Sequence, residues 1–227
     1  MSVSDKHILV AAPHPDDETM GCGGTLLKEK ANGARLHWLI FTEMVLDAGY
    51  SAERIKVREE EIAAVTEAFG FDSVHRLGYP TAALDTVPIG EIVQKVASVF
   101  LDATPADVYV PFPGDAHTDH RIAFDCTLSC TKWFRAPYLR RVLAYEALSE
   151  TDIIRRPGGP DFVPNLYEDI SGQAAEKLRI LTLFGEEIGE APFPRSEAIV
   201  RAKHQTRGAE AGFDAAEAFM LLKEVRP

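Results

Sequence analysis

Short apolar runs and longer amphipathic stretches succeed one another along the chain in a regular order. HILVAA (7–12) is apolar throughout and bounded by polar residues and a proline, the pattern of a strand covered on both faces. ETMGCGGTLLKEKANG (18–33) carries Met20, Leu26 and Leu27 and closes on Asn32-Gly33, which predicts a helix with a C-terminal stop. RLHWLIFTE (35–43) predicts a second strand. In SAERIKVREEEIAAVTEAFG (51–70), Ile55, Ile62, Val65 and Phe69 recur at helical spacing before Gly70. SVHRLGYP (73–80) predicts a third strand ended by proline. PIGEIVQKVASVFLDATP (88–105) places Ile89, Ile92, Val93, Val96 and Phe100 on one helical face, and ADVYVPFP (106–113) is a fourth strand of alternating and β-branched residues.

Further on, 118–134 predicts a helix, RRVLAYEALS (140–149) a strand, and the Pro- and Gly-dense RRPGGPDFVPN (155–165) a loop. Helices are expected over 171–189, with Ser171 as its cap, and over 195–208. AEAFMLLKEV (216–225) suits a helix or a strand equally. Strand and helix alternate, which predicts an α/β fold: a Rossmann-like, mainly parallel sheet with helices on both faces and the active site at the C-terminal ends of the strands. A length of 227 residues suits one such domain, spanning 1–227.

Composition narrows the function. A formal charge of -11 disfavours a nucleic-acid binder, which needs a basic patch. No segment is long and apolar enough to span a bilayer, and the N-terminus lacks a basic region ahead of its apolar run, so a cytoplasmic location is expected. Cys22, Cys126 and Cys130 form no C-x-x-C pair and suit reduced thiols; Cys126 and Cys130, four apart on a helix, suit packing. His7, His37, His75 and His204 lie within expected strands and helices and suit structural roles, and Trp38 and Trp133 suit the core or packing.

Two polar clusters fall where strands end: PHPDDE (13–18) after the first and PFPGDAHTDH (111–120) after the fourth. In an open parallel sheet such ends face one crevice, so the clusters can meet there. His14 and Asp17, three apart, can converge on one ion, and a histidine of HTDH, either His117 or His120, would complete an open three-ligand site. The pKa of water on such an ion falls from about 15.7 to roughly 7. An aspartate of ordinary pKa near 3.9, here Asp16, then becomes a workable general base. Glu18 or Thr19 is left to start the helix. GCGG (21–24) matches neither phosphate-loop pattern and follows acidic residues that would repel an anion, so its glycines are expected to allow close packing of the first helix.

PHPDDE followed at long range by HTDH resembles the LmbE-like (PIG-L) family of zinc-dependent N-acetylglucosamine deacetylases. Weaker similarity in YEALSETD, FVPNLYEDIS, FPRSEA and AEAF extends it over most of the chain. The resemblance implies His14, Asp17 and His120 as ligands of Zn2+, with another divalent metal such as Fe2+ as the alternative. It implies Asp16 as the general base and then the acid, His117 as the stabiliser of the tetrahedral oxyanion, and Asp119 as the residue orienting that imidazole. Arg58 and Arg195 match positions near the substrate, although an arginine on a helix also pairs readily with Glu60 or Glu61. Many relatives carry an aspartate after LGxP where this chain has Thr81, with Asp85 close by. The implied substrate is a small-molecule N-acetyl amino sugar or glycoconjugate, with no nucleic acid and no membrane span. The apolar late helices leave room for a homo-oligomer.

Two other functions compete. One is a different hydrolytic or hydration reaction on the same metal scaffold, since fold and metal do not fix the substrate. The other is a non-catalytic sugar-binding domain, which predicts loss of a motif residue; His14, Asp16, Asp17, His117, Asp119 and His120 are all present.

Overall fold

The computed structural model describes residues 6–154 and 158–226. The first five residues of the N-terminal reading and residues 155–157 of the expected loop lie outside them. Among the described residues, seven strands form one sheet: β1 (His7–Ala12), β2 (Arg35–Glu43), β3 (Ser73–Pro80), β4 (Asp107–Pro111), β5 (Arg141–Tyr145), β6 (Leu166–Asp169) and β7 (Ala216–Glu224). Their order is β3-β2-β1-β4-β5-β7-β6. The first five are parallel, whereas β7 runs antiparallel to both β5 and β6. The helices are α1 (Asp17–Ala31), α2 (Ala52–Phe69), α3 (Ile89–Ala103), α4 (Thr118–Ser129), α5 (Ala174–Leu181) and α6 (Glu197–Ala211).

Side-chain alternation divides the core into two layers. Leu9 and Ala11 of β1, with Val108 and Val110 of β4, face Ile92, Val96 and Phe100 of α3 and Ile122 of α4. Ile8, Val10 and Ala12, with Trp38 and Ile40 of β2, face Leu26 of α1, Ile62 and Val65 of α2, and Ile180 of α5. Strands buried on both faces are what the apolar HILVAA run requires.

Several boundaries differ from the sequence expectation. The helix expected to reach 134 ends at Ser129, where Thr131 Oγ1 donates to the Leu128 carbonyl (2.8 Å) and satisfies the last turn. Trp133 beyond it is 74% exposed and stacks edge-on against Phe134 (5.9 Å), so it is not a core residue. The helix expected over 171–189 is only Ala174–Leu181, followed by a 3-10 turn at Gly185–Glu187. Ser171 does not cap it; its hydroxyl donates to Asp169 Oδ1 (2.6 Å) and Gln173 stands at the cap. β6 was not expected, and the ambiguous 216–225 segment is a strand because β5 and β6 both pair with it. The three cysteines are buried free thiols, as packing roles require.

α1 is broken at Cys22, whose backbone (φ -144°, ψ 17°) leaves helical values. In an unbroken helix the Gly24 N–H would donate to the Met20 carbonyl. Here Gly24 and Thr25 N–H both donate to the Glu217 carboxylate of β7 (2.8 Å each), and Lys177 Nζ of α5 donates to the Met20 carbonyl (2.7 Å). Lys177 and Glu217 also pair directly at 2.7 Å, so a buried ion pair splices the interrupted hydrogen bond. The glycines permit close packing around the break: a Cβ on Gly23 would lie 3.3 Å from Lys177, one on Gly24 2.7 Å from Ile170, and one on Gly21 would enter the Tyr145 ring. Glu217→Ala strands the buried Lys177 ammonium and is expected to cost about 3–5 kcal/mol. Urea unfolding of the variant against wild type measures the loss.

Candidate metal centre and active site

β1 and β4 are neighbours, yet β1 leads outward to β2 on its other side, so the sheet's topological switch point lies between them. Both polar motifs leave from this point. After β1, Pro13 and Pro15 bracket His14, and Asp16 takes φ 142°, a strained value for a residue other than glycine. That strain is held by reciprocal contacts: Asp16 N–H donates to Glu18 Oε2 (3.1 Å) and the Asp16 carbonyl accepts from Met20 N–H (2.9 Å). Glu18 thus serves the helix start. After β4, His117 caps α4, its ring Nδ1 accepting from the Asp119 N–H (3.1 Å), and Asp119 and His120 fall in the first turn.

His14 Nδ1 and His120 Nε2 converge on Asp17 Oδ2, at 3.3 and 3.4 Å. His14, Asp17 and His120 each offer a ligand atom within 4.8 Å of the others, and His14, His117 and Asp119 form a second such group. His120 is fully buried; its Nδ1 is bonded to Asp115 Oδ2 (2.8 Å), while its Nε2 has no hydrogen-bond partner. A buried, unpartnered imidazole nitrogen aimed at a carboxylate and a second imidazole is the donor set of an open divalent-metal site. The residues present therefore fit a metal ion. Electrostatics agree. Burial alone would lower the His14 pKa, but the Asp119 and Asp17 carboxylates outweigh it and hold it up at about 9. His120 is likewise raised against burial, by Asp17 and Asp115. The cluster thus draws positive charge to itself.

Asp16, only 4% exposed, accepts from Arg195 Nη1 (2.9 Å). Burial first, then the neighbouring Asp17 carboxylate, pushes its pKa up to about 7, with Arg195 pulling the other way. His117 is lowered to about 4 by burial and by His14, so its ring is neutral. Asp119 does not orient His117 through its carboxylate, which lies 3.9 Å from His117 Nδ1. Its main-chain N–H holds that ring, and the carboxylate instead meets His14 Nε2 (3.2 Å) and accepts from Ala82 and Leu84 N–H (2.8 and 3.2 Å). Asp119 therefore ties the turn after β3 to the two motifs.

Arg58 and Arg195 both line the cavity in front of these residues, which also admits Thr81. Arg58 is 4% exposed and does pair with Glu61 (Nε at 3.1 Å), but its Nη1 also donates to the Pro15 carbonyl (2.7 Å), which places it at the site. Asp85 is exposed and does not line the cavity. Of the eight site residues expected from the sequence, His14, Asp16, Arg58, His117 and Arg195 line this cavity, while Asp17, Asp119 and His120 are buried behind it, in contact with His14 or with one another through Asp17. Three neighbours were not expected: Asp115 behind His120, Glu150, whose carboxylate accepts from the His117 N–H (3.1 Å), and Glu187. Asp115 had a signal, because a buried imidazole that turns one nitrogen toward a site needs an acceptor for the other. Glu187 had none.

A family model described as PIG-L, GlcNAc-PI de-N-acetylase, matches residues 9–131, more than half of the chain and a span holding both motifs. The chain belongs to the PIG-L family. It is similar to a diacetylchitobiose deacetylase of Thermococcus kodakarensis, with 26% identity, 87% of this chain and 78% of that protein being covered. It is also similar to a probable N-acetyl-alpha-D-glucosaminyl L-malate deacetylase 2 of Bacillus cereus, with 24% identity over 72% of this chain and 77% of the relative. Among solved structures, a conserved protein of Thermus thermophilus superposes with a TM-score of 0.75 at 27% identity, covering 98% of this chain and 97% of the other.

Within this PIG-L chain, Asp115 fixes the His120 ring and is itself held by Thr151 Oγ1, which donates to Asp115 Oδ1 (2.6 Å). Asp115→Asn keeps the shape and weakens that hold, so metal affinity is expected to drop about 10- to 100-fold. Competition against a chromogenic chelator reads the change.

Proposed function

We propose that the chain is a metal-dependent amidohydrolase that removes the N-acetyl group from an N-acetylglucosamine-type amino sugar or its conjugate, releasing acetate and a free amine. The observation that carries this reading is the unpartnered His120 Nε2, aimed with His14 at Asp17 beside the buried Asp16 carboxylate. The PIG-L relatives named for deacetylation of N-acetyl sugars support it.

In this reading His14, Asp17 and His120 hold a divalent ion, zinc by preference for a mixed nitrogen and oxygen donor set. The ion supplies Lewis acidity, making water a nucleophile near neutral pH and polarising the acetyl carbonyl. Asp16 takes the proton from the attacking water and later delivers it to the departing amine nitrogen; a pKa near 7 suits both transfers. Arg195 fixes the orientation of the Asp16 carboxylate. His117 uses Nδ1 to accept from a main-chain N–H, so in the neutral ring the proton sits on Nε2, a donor for the tetrahedral oxyanion. The three buried free thiols support a reducing, cytoplasmic setting.

The test is acetate release from N-acetylglucosamine conjugates by the metal-loaded protein. Release should stop with a chelator and return with zinc. Acetate release that persists undiminished after complete metal removal would overturn the reading, and water addition to an unsaturated acid without acetate release would favour a hydratase.

A further inference from the structure

The cavity in front of Asp16 has a volume of about 200 Å³ and two guanidinium groups in its wall, Arg58 and Arg195. In an enzyme that recognises carboxylates or phosphates, such arginines are kept free to grip the anion. Here both are bound by the chain's own groups. Arg58 donates through Nη1 to the Pro15 carbonyl (2.7 Å) and through Nη2 to Glu187, with Nε 3.1 Å from the Glu61 carboxylate. Arg195 Nη1 donates to Asp16 Oδ2 (2.9 Å) and to Glu187 Oε2 (3.0 Å). Its Nε donates to Ser149 Oγ (2.8 Å), and Nη2 lies 3.7 Å from Glu150.

Glu187 therefore bridges the two arginines. The 3-10 turn that carries it is fastened to α2 from outside as well, by Arg54 Nε and Glu186 at 2.6 Å. Among the described lining residues, Asp16, Glu150 and Glu187 set three carboxylates beside two guanidinium groups and the His14 imidazole, and no lysine is present. A ligand carrying a carboxylate or phosphate would compete with Glu187 for the two arginines it bridges and would face the Asp16 and Glu150 carboxylates in the same wall. A hydroxyl-bearing ligand demands no such exchange, and an ammonium group would be drawn by the carboxylates.

We infer that the cavity selects amino-sugar substrates whose attached group is uncharged or carries an amine, and rejects conjugates bearing carboxylates or phosphate at that position. The inference rests on the deacetylase reading for its substrate frame. It departs from the substrate in the name of the Bacillus cereus relative, a malate conjugate.

The experiment compares acetate release by the zinc-loaded protein from N,N′-diacetylchitobiose and from N-acetylglucosaminyl malate. kcat/KM is expected to favour the neutral sugar by at least about tenfold, chiefly through KM. Glu187→Gln removes the carboxylate that bridges the two arginines and should narrow that ratio by lowering KM for the malate conjugate. Equal or better turnover of the malate conjugate by wild type, or a ratio that Glu187→Gln leaves unchanged, would overturn the inference. Calorimetric affinities of the two deacetylated products read the same preference without turnover. If neither substrate yields acetate the deacetylase reading falls, and the product affinities still decide the charge preference.

Discussion

An Asp16→Asn protein is expected to keep its metal and lose about 10²–10⁴-fold in kcat. The substitution is nearly isosteric and leaves the residue's backbone preferences close to those of aspartate, so the strained turn at 142° should survive. Its side-chain oxygen can still accept from Arg195, which preserves the cavity wall. What disappears is the capacity to take a proton from water and return it to the amine. Because Asp16 is absent from the His14, Asp17 and His120 group, metal content by atomic spectroscopy should match wild type. KM should move little, since the lost interaction belongs to the transition state. A kcat within a factor of about two of wild type would remove Asp16 from the proton-transfer role.

His120→Ala should fail at the earlier step. The ring lies on α4 with no exposed surface, one nitrogen held by Asp115 and the other unpartnered toward Asp17. Deleting it removes a proposed ligand outright, so the loss of metal affinity should exceed the 10- to 100-fold typical of outer-shell changes. Activity should then return only with excess metal, if at all. His117→Ala is the matched control: affinity near wild type with reduced kcat. Chelator competition and steady-state kinetics on the same preparations separate the two, and equal metal affinity for His120→Ala and wild type would refute the ligand assignment.

The parallel half of the sheet was legible because burial on both faces demands uninterrupted apolar runs, as in HILVAA. Both site motifs were legible because expensive polar groups followed such runs at once. What escaped depended on tertiary partners. β6 pairs only with β7, so its short, half-buried sequence shows no periodicity of its own. The helix expected to reach 189 stops at Leu181, where Thr182 Oγ1 donates to the Arg179 carbonyl (2.7 Å), and Gly185–Glu187 forms a separate turn whose Glu186 and Glu187 are held by Arg54 and Arg195. The family resemblance implies Asp119 as the residue orienting His117, yet its carboxylate is claimed by main-chain N–H groups of the turn after β3. Glu187 reaches the site from a turn late in the chain, 129 positions from Arg58, one of the two arginines it binds. No local pattern carries that information.

The splice at Cys22 bears on how the protein matures as it is synthesised. The break lies one turn beyond the PHPDDE motif, and the groups that close it come from α5 and β7, made long after α1 has left the ribosome. A nascent chain lacking β7 holds both polar motifs but has no carboxylate for the Gly24 and Thr25 amides. Metal capture should therefore trail the emergence of the last strand, and a chain truncated before Ala216 should stay metal-poor even with every candidate ligand present.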